Sequence, residues 1–400
     1  MKIGIINERK NPPDKRVVLS PKKCKQILKD YPQLQIKVES SDIRVFKDDE
    51  YRKEGIEVVN DVSDCDILLG VKEVPIEFLI PNKEYFFFSH TIKKQPYNRD
   101  LLRAVLEKNI QLYDHEAITN KNGGRLVAFG RYAGIVGAYN GFRAYGLKFN
   151  CFNLPKAEEL TSQQYLIDEL KKVKLPNIKI VLSGCGRVGK GAKEMLDGME
   201  LREVNITEFL NNSFDEPVYV NIDALDYNKR KDGFVKNVSD FFEHPGAYES
   251  NFMRFAKVAD MYIAGHFYGQ GSPKIISAED IKSEEFNIKV IADISCDFGP
   301  IASTVRPSTI KDPVYGFDPQ TGEEVDYKSE NAIAVMAVDN LPCELPKDAS
   351  EGFSNSFAEY VIPSLFNNDE DDILRRARVT GRGKLKRRFK YLQDYVDGKE

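Results

Sequence analysis

The segment Val181-Leu-Ser-Gly-Cys-Gly-Arg-Val-Gly-Lys-Gly191 decides the fold of this chain. It carries the spacing Gly184-x-Gly186-x-x-Gly189, with an apolar strand, Ile178 to Leu182, before it and a helix-like segment after it. In such a unit the first glycine permits a tight turn, the second lets a pyrophosphate approach the backbone, and the third brings the helix close to the strand. The pattern predicts a dinucleotide-binding unit, and the alternative is an ordinary glycine-rich turn.

The predicted helix begins at Arg187 and Val188, and its N-terminal N–H groups would face the phosphates of the dinucleotide. An acidic residue that binds the ribose is expected about 20 positions further along. Glu203 is the candidate for that role, whereas Arg202 beside it would favour a 2′-phosphate. The expected cofactor is therefore NAD or NADP.

Two acidic residues follow a strand that is predicted late in the same unit. Asp293 closes the strand, and Asp297 lies four residues further along. The ends of such strands often contact the cofactor, so both residues are candidates for cofactor binding. The alternative is that they cap the loop.

Composition and cysteine spacing exclude several classes of protein. The net charge of −4 gives no reason to expect a nucleic-acid-binding protein. The sequence contains no apolar run of about 18 residues, so no membrane span is expected, and its start does not resemble a signal peptide. Its six cysteines show neither Cys-x-x-Cys nor Cys/His metal spacing, so we expect reduced thiols, no metal site and a cytoplasmic protein.

Strand and helix signals alternate before the glycine motif, which predicts a second parallel α/β sheet. A helix from Gly130 to Leu147, rich in small residues, is interpreted as a connecting core helix that packs closely against a neighbour. We expect an α/β fold of two Rossmann-like domains with parallel sheets and an active site in the cleft between the domains. The dinucleotide-binding domain would comprise residues 136–324, and residues 1–135 would form the substrate domain.

Several charged residues follow predicted strands of the first domain. Lys72 and Glu73 follow one strand, His90 the next and Glu116 a third. Because ligands of open α/β sheets bind beyond the carboxyl ends of the strands, these residues form a candidate acid/base site. For His90 alone, a structural hydrogen bond or a helix cap is the alternative.

Arginines near the same predicted strand ends indicate an acidic substrate. Arg9 and Arg16 flank the loop after the first strand, and Arg125 and Arg131 flank another segment. Guanidinium groups bind carboxylates through two parallel hydrogen bonds. Two or more arginines beside a nucleotide site favour a substrate with several carboxylates, whereas a surface ion pair is the default for Arg9.

The segment from Arg375 to Lys390 holds nine basic residues and no acidic residue. One interpretation is an arm that binds nucleic acid. The interpretation preferred here is a solvated helix end and hairpin, because Leu385, Phe389 and Tyr391 are interspersed and need a core. No nucleic-acid partner and no membrane partner are expected.

Motifs spread over nearly the whole chain resemble those of a known family. They are Ile3-Gly-Ile5 with Arg16-Val-Val-Leu-Ser-Pro21, Val71-Lys-Glu-Val-Pro75, Ser89-His-Thr91, Tyr113-Asp-His-Glu116, Gly124-Arg-Leu-Val-Ala-Phe-Gly130 and Ala337-Val-Asp-Asn-Leu-Pro-Cys-Glu-Leu-Pro-Lys-Asp-Ala-Ser350. The first resembles the opening of the alanine dehydrogenase and transhydrogenase superfamily. The others resemble the lysine-forming saccharopine dehydrogenases and the lysine–ketoglutarate reductase domain.

This resemblance implies an NAD(P)-linked oxidoreductase that cleaves saccharopine to lysine and 2-oxoglutarate or catalyses the reverse condensation. It implies that Lys72 and His90 are the catalytic acid/base groups. It also implies that Arg16, Glu73, Glu116 and Arg125 lie in the same cleft and bind substrate. In that family the C-terminal segment returns to the first domain, so the resemblance implies a substrate domain of residues 1–135 plus 325–400. Two other functions remain open: a dehydrogenase of the same superfamily that acts on alanine or another amino acid or imine, and a non-catalytic nucleotide-binding regulator.

Overall fold

The computed structural model describes residues 1–234 and 236–399. The chain forms two compact units, one made of Met1–Phe129 together with the chain from Pro346 onward, the other of Gly130–Leu345. The division falls at Gly130 and Pro346 rather than at the expected residues 136 and 325. The reason is that the segment 325–345 contains a strand of the second unit's sheet, described below.

The strands alternate with helices along most of the chain. The strands are β1 (Lys2–Ile5), β2 (Gln35–Glu39), β3 (Glu57–Val59), β4 (Ile67–Leu69), β5 (Glu84–Phe87), β6 (Gln111–Asp114), β7 (Lys179–Ser183), β8 (Arg202–Glu203), β9 (Val218–Ile222), β10 (Asn228–Arg230), β11 (Tyr248–Ser250), β12 (Met261–Ala264), β13 (Val290–Asp293), β14 (Val314–Phe317), β15 (Glu324–Val325), β16 (Ile333–Met336), β17 (Thr380–Gly381) and β18 (Lys384–Leu385).

The α-helices are α1 (Pro21–Asp30), α2 (Asp48–Lys53), α3 (Arg99–Glu107), α4 (Gly130–Phe149), α5 (Gln163–Lys171), α6 (Arg187–Gly198), α7 (Ile206–Asn211), α8 (Val238–Glu243), α9 (Met253–Ala256), α10 (Ala278–Lys282), α11 (Pro346–Ser356), α12 (Ile362–Ser364), α13 (Ile373–Ala377) and α14 (Gln393–Asp397). A π-helical turn, Phe357–Val361, joins α11 to α12. Short 3₁₀ helices cover Ile76–Phe78, Pro96–Asn98, His115–Ala117, Ala157–Glu159, Pro245–Ala247, Leu341–Glu344 and Arg387–Leu392. No helix of the described chain is long and apolar enough to cross a membrane.

The sheet of the first unit has the strand order β3-β2-β1-β4-β5-β6, and every neighbouring pair is parallel. Its central strands are short apolar runs, and all three residues of β4 are buried. This is the pattern of a sheet covered on both faces. The carboxyl ends of all six strands therefore lie at one edge, where the charged residues identified in the sequence are found.

The C-terminal segment belongs to the first unit. Ser350 and Ser354 of α11 accept hydrogen bonds from the backbone N–H groups of Val17 and Ser20 at 2.9 and 2.8 Å. The Thr380 hydroxyl lies in β17 and accepts from the N–H of Leu112 in β6 at 3.0 Å. These contacts join residues more than 260 positions apart in the chain, so the first unit is assembled from both ends of the sequence.

The sheet of the second unit has the order β15-β14-β16-β13-β12-β7-β9-β8. The strands β16, β13, β12, β7, β9 and β8 are parallel, whereas β14 is antiparallel to β16 and β15 to β14. The sheet is therefore mixed rather than purely parallel as expected. β16 pairs along its length with β13, which holds residues 333–336 in this unit.

Small residues allow α4 to pack closely against α6 and the sheet. A Cβ on Gly134 would come within 1.9 Å of the Val188 carbonyl oxygen, and one on Gly191 within 2.0 Å of the Arg131 carbonyl oxygen. A Cβ on Gly141 would likewise lie 2.8 Å from the Cβ of Ala292 in β13. The interpretation of this segment as a closely packed core helix is confirmed.

Candidate functional site

The carboxylate of Glu73 is the centre of a hydrogen-bonded cluster beyond the ends of β1, β4 and β5. Its Oε1 lies 2.7 Å from Nδ1 of His90, and its Oε2 accepts from Nζ of Lys10 at 2.6 Å. Asn98 donates to Oε1 at 3.2 Å and to the Ser89 carbonyl oxygen at 3.0 Å. Burial alone would raise the pKa of Glu73, but hydrogen bonds from His90 and Lys10 lower it to about 2. Glu73 is therefore ionised at neutral pH.

This carboxylate fixes the orientation of the His90 ring. With Nδ1 held by Glu73, Nε2 is the nitrogen that can exchange a proton with a ligand. The side chain of His90 is 28% exposed, and its backbone has a φ of 52°. Residues other than glycine uncommonly adopt this left-handed conformation, although histidine does so more often than most. The arrangement leaves Nε2 available for the proton transfer that the sequence predicts for His90.

The backbone at Lys72 is held by a second buried carboxyl group, that of Glu8. The oxygens of Glu8 accept from the backbone N–H groups of Val71 and Lys72 at 2.6 and 3.0 Å, which links the loops after β1 and β4. Burial raises the pKa of Glu8 to about 8. The charge of Lys72 contributes to lowering the pKa of Asp14, so the Lys72 side chain lies within electrostatic reach of that carboxylate.

Arg16 is paired inside the protein. Its Nε and Nη2 donate to the two oxygens of Asp14 at 3.0 and 2.6 Å, and both side chains are 3% exposed. Its guanidinium lies 4.2 Å from the centre of the Phe129 ring. Burial alone would raise the pKa of Asp14, but Arg16 lowers it to about 2. A substrate carboxylate at Arg16 would therefore share a guanidinium that Asp14 already binds.

Arg125 differs from Arg16 in being accessible. Its side chain is 44% exposed, and Nη2 donates to Oε1 of Glu116 at 2.9 Å. Nζ of Lys93 lies 3.6 Å from the same oxygen. Arg125 and Lys93 therefore place two accessible cations around one buried carboxylate at the end of β6.

Asp114 connects the loops that carry His90 and Glu116. It is fully buried and accepts from the backbone N–H of Ser89 at 3.2 Å, from the Ser89 hydroxyl, and from the N–H of Glu116 at 2.8 Å. Burial raises the pKa of Asp114 to about 6. Asp114 therefore fixes the loop after β5 and the loop after β6 relative to each other.

The structure brings the predicted residues of the first unit into two contacting groups. Glu73 contacts His90, and Glu116 contacts Arg125, while Lys72 acts electrostatically on Asp14. The site also contains five residues that were not predicted from the sequence patterns: Lys10, Asn98, Glu8, Asp14 and Asp114. Lys10, Glu8 and Asp14 lie in the loop after β1, so the strand-end rule that selected His90 would also have selected them. His115, by contrast, is fully buried, donates from Nε2 to the Gly70 carbonyl oxygen at 2.9 Å, and has its pKa lowered to about 4 by burial.

The glycine motif of the second unit has the geometry that its pattern predicts. Gly184 has a φ of +100°, and a Cβ there would lie 2.4 Å from the Gly265 carbonyl oxygen. A Cβ on Gly189 would lie 1.8 Å from the Gly184 carbonyl oxygen, so the third glycine is needed for helix–strand packing. A Cβ on Gly186 would meet nothing within 4 Å. This open space lies at the N-terminus of α6, where Arg187 is exposed and Val188 half-buried, and it fits a pyrophosphate.

The structure offers a second candidate for the ribose-binding acid besides Glu203. Glu203 lies in the edge strand β8 and pairs with Nζ of Lys193 at 2.8 Å, and β9 rather than β8 adjoins β7. Asp223 directly follows β9, and its charge, together with that of Asp226, adds to burial in raising the pKa of the nearby Cys185 thiol. The strand β9, which Asp223 follows, lies one strand spacing, about 4.8 Å, nearer to β7 than β8 does. Strand order, which sequence spacing does not give, therefore favours Asp223 over Glu203 as the ribose-binding acid. Arg202 pairs with Glu216 at 3.0 Å.

Asp293 and Asp297 differ in their surroundings. Asp293 is fully buried and accepts from Ser295 and Thr304 hydroxyls, both at 2.7 Å, and from the N–H of Cys296 at 3.2 Å. These bonds favour the loop-cap interpretation over a cofactor contact. Asp297 is exposed in the same loop. The described residues contain no group of three or more His, Cys, Asp or Glu residues that could hold a metal ion.

Comparison with protein families matches both units of the chain. The family described as alanine dehydrogenase/PNT, N-terminal domain, matches residues 4–136, and its partner, alanine dehydrogenase/PNT, C-terminal domain, matches residues 167–387. The chain belongs to the alanine dehydrogenase/PNT family. The resemblance seen in the sequence is confirmed.

Relatives with assigned names indicate which members of the family this chain resembles. The saccharopine dehydrogenase [NAD(+), L-lysine-forming] of Yarrowia lipolytica is 27% identical over 383 residues, which cover 90% of each chain. The alpha-aminoadipic semialdehyde synthase of Arabidopsis thaliana is 26% identical over 98% of this chain and 41% of its own length. The mitochondrial mouse protein of that name is 27% identical over 100% and 48%. The chain thus spans about half the length of the synthases that it matches.

Solved structures show the same fold. An L-alanine dehydrogenase superposes with a TM-score of 0.66 and 18% identity over 100% of this chain and 99% of its own. A transhydrogenase from Sinorhizobium meliloti superposes with a TM-score of 0.62 and 14% identity over 96% and 100%. The expected α/β fold with Rossmann-like units is confirmed, apart from the antiparallel strands of the second sheet.

Proposed function

We propose that this chain catalyses the NAD(P)-linked oxidative cleavage of saccharopine to lysine and 2-oxoglutarate, or the reverse reductive condensation. The observation that carries this proposal is the cluster of Lys10, Glu73 and His90 beside Lys72 at the strand ends of the first unit. The names of the saccharopine dehydrogenase and semialdehyde synthase relatives support it. Substrate would bind to the first unit and the dinucleotide to the second.

The reaction requires several proton transfers, which Lys72 and His90 would perform. The secondary amine of saccharopine must lose a proton before the C–H bond beside it can break, and water must then be deprotonated to attack the resulting imine. The nitrogen of the leaving lysine must finally gain a proton. Each transfer needs a group within hydrogen-bond reach. Glu73 would hold the His90 ring with Nε2 available for such a transfer, and Glu8 would hold the backbone at Lys72.

The accessible cations match the charges of the substrate. Saccharopine carries three carboxylates, and a guanidinium binds a carboxylate through two hydrogen bonds. Arg125, which is 44% exposed, and Lys93, which is 62% exposed, are the cations that a substrate reaches first. Arg16 would act mainly by keeping Asp14 and its loop in place, with any substrate contact shared with Asp14.

The residues of the second unit fit a dinucleotide, because the space at Gly186 that a Cβ would fill is open. Gly184, Gly186 and the N-terminus of α6 would hold the pyrophosphate, and Asp223 would bind a ribose. When bound, the nicotinamide accepts or donates the hydride. The negative charges of Asp223 and Asp226 would repel a 2′-phosphate, so NAD is the proposed preference.

The reductive assay tests the reaction. The purified protein is incubated with lysine, 2-oxoglutarate and NADH or NADPH, and loss of the reduced nicotinamide is followed by absorbance. Turnover that requires both lysine and 2-oxoglutarate supports the proposal. Pyruvate with ammonia is the control: activity with that pair alone would assign the chain to alanine oxidation and reduction, and binding of NADH without turnover of either pair would indicate a regulator.

The variant Asp223→Asn tests the cofactor assignment separately. It removes the charge and one acceptor for a ribose hydroxyl, so the affinity for NADH should fall while that for NADPH stays the same or rises. Glu203→Gln, which changes an exposed carboxylate paired with Lys193, is the matched control. A larger loss of NADH affinity in Glu203→Gln than in Asp223→Asn would show that Glu203, in the edge strand, binds the ribose instead of Asp223.

A further inference from the structure

The basic segment at the end of the first unit lines a cavity that is open to solvent on one side. Its volume is about 650 Å³, and it is lined by five arginines, Lys386 and a single acidic residue, Asp372. This volume falls in the range of small-molecule sites, roughly 300–1,000 Å³. Six cations against one carboxylate leave an excess of five positive charges around the cavity. The proposed reaction uses none of these residues.

Two of the arginines are oriented without being neutralised. Nε and Nη2 of Arg376 donate to the carbonyl oxygen of Thr119 at 2.9 and 2.6 Å. Nη1 of Arg378 donates to the amide oxygen of Gln111 at 3.2 Å. Neutral carbonyl and amide oxygens fix the direction of a guanidinium but leave its full positive charge in place. The cavity wall is therefore both ordered and cationic.

The remaining cations have little compensating charge. Asp372 is bound by Arg375 at 3.2 Å, and within residues 1–234 and 236–399 no carboxylate forms an ion pair with Arg387 or Arg388. Burial and the charges of Arg378 and Arg382 lower the pKa of Lys386. Neighbouring like charges destabilise a folded protein unless an anion lies between them. A bound anion would remove this repulsion.

We propose that this cavity is a binding site for a small polyanion that carries two or more linked phosphoryl groups. Guanidinium forks pair with phosphoryl oxygens through two hydrogen bonds, and several arginines around one cavity suit several such groups. One or two carboxylates would leave most of the excess charge uncompensated. The lining residues lie in and beside α13 and at the start of the 3₁₀ helix Arg387–Leu392, and they surround about 650 Å³, which is the size of a compact ligand rather than of an extended chain.

Titration with inorganic triphosphate tests this site. Binding is measured calorimetrically at constant ionic strength, in a Gly186→Val background that removes the competing phosphate site of the glycine motif. The double variant Arg387→Ala/Arg388→Ala removes two exposed cations of the cavity. The matched control, Lys384→Ala/Lys390→Ala, removes two exposed cations of the same segment that do not line it. Melting curves confirm that each variant is folded.

The expected result is saturable binding that weakens about tenfold or more in the arginine double variant and changes by less than about twofold in the lysine double variant. Equal losses of triphosphate affinity in the two double variants would contradict the proposal, because they would show that binding depends on total surface charge rather than on this cavity. So would unchanged binding in the arginine variant, or the absence of saturable binding. Affinity for single-stranded DNA or heparin without affinity for triphosphate would instead show a surface for an extended polymer and would also contradict the proposal.

Discussion

At the residue scale, the proposed mechanism depends on His90 and Lys72, and a different acidic residue positions each of them. His90 is oriented by an ionised Glu73, and the Lys72 backbone by a buried Glu8. Removing a positioned general acid or base typically lowers a rate by roughly 10²- to 10⁴-fold. We therefore expect Lys72→Met and His90→Gln to lower kcat by such factors, measured with lysine, 2-oxoglutarate and NADH, while the affinity for NADH stays near normal.

Lys83→Met is the control for these variants, since Lys83 precedes β5 and lies at the opposite end of that strand from His90. If Lys72 and His90 act on one proton path, the double variant should lose less than the product of the two single losses. Turnover near that of the unmodified protein in both single variants would remove the acid/base assignment and leave the dinucleotide fold.

Arg125 and Arg16 should respond differently to replacement by alanine. Arg125 is accessible, so Arg125→Ala should weaken binding of 2-oxoglutarate or saccharopine by roughly tenfold to hundredfold and leave the free energy of unfolding nearly unchanged. Arg16→Ala would remove the guanidinium that binds the buried Asp14 carboxylate, and removing one partner of a buried ion pair destabilises a protein by about 3–5 kcal/mol. Kinetics and urea unfolding measure the two effects, with Lys121→Ala as the control for Arg125. A loss of affinity for the cofactor instead of the substrate in Arg125→Ala would mean that Arg125 contacts the cofactor.

Gly186 offers a test of cofactor binding that does not disturb the fold. Because a Cβ at this position meets nothing within 4 Å, Gly186→Val should fold normally and lose affinity for both NADH and NADPH. Gly189→Val should instead destabilise the unit, since its Cβ would lie 1.8 Å from the Gly184 carbonyl oxygen. Fluorescence titration and thermal melting distinguish the two effects. A folded Gly186→Val variant with unchanged affinity would exclude the glycine loop as the pyrophosphate site.

At the element scale, the contact between α4 and α6 depends on glycines that allow backbone to approach backbone. A Cβ on Gly134 would lie 1.9 Å from the Val188 carbonyl oxygen, so Gly134→Ala should force the helices apart and destabilise the second unit by about 1–3 kcal/mol. Gly130→Ala is the control on the same helix, because its Cβ would make ordinary contacts at 3.5 Å. Its effect on the free energy of unfolding, measured with urea, should be within about 1 kcal/mol. Equal effects of the two variants would show that helix propensity, not packing, determines the result.

At the scale of the whole molecule, buried carboxyl groups should make stability depend on pH. Glu344 is 3% exposed and accepts from Nδ2 of Asn140 at 2.8 Å, and burial raises its pKa from 4.5 to about 7. A folded-state pKa above the unfolded value means that the folded state binds more protons between these two pH values. The contribution of Glu344 is therefore complete below about pH 4.5 and is lost as the pH rises through about 7.

Glu344→Gln should remove this part of the pH dependence. The neutral amide keeps an acceptor for Asn140, so the variant should be more stable than the unmodified protein above about pH 7, by on the order of 1–3 kcal/mol. Below about pH 4.5 the two proteins should be equally stable. Urea unfolding across this range measures the difference. A constant difference at all pH values would mean that the substitution acts through packing rather than through ionisation.

Local sequence patterns were sufficient for the elements and for the site residues that follow strands. The strand predicted from Ile178 to Leu182 is β7, Lys179–Ser183, and α4 extends the predicted helix by two residues, because strand and helix periodicity are properties of neighbouring residues. His90 and Glu73 were selected because a residue that follows a parallel strand lies at the ligand-binding edge whatever the rest of the fold.

Only the tertiary structure decided which of these residues meet and which strands are neighbours. Strand order follows from packing between distant segments, and it placed Asp223 rather than Glu203 after the strand beside β7 and assigned residues 325–345 to the second unit. Pairing of Arg16 with Asp14 and of Lys10 with Glu73 also depends on how loops fold back on one another. The sequence alone determined the two α/β units, their family and the glycine loop, since these depend on local pattern, whereas the partners of each charge depend on contacts that local pattern does not encode.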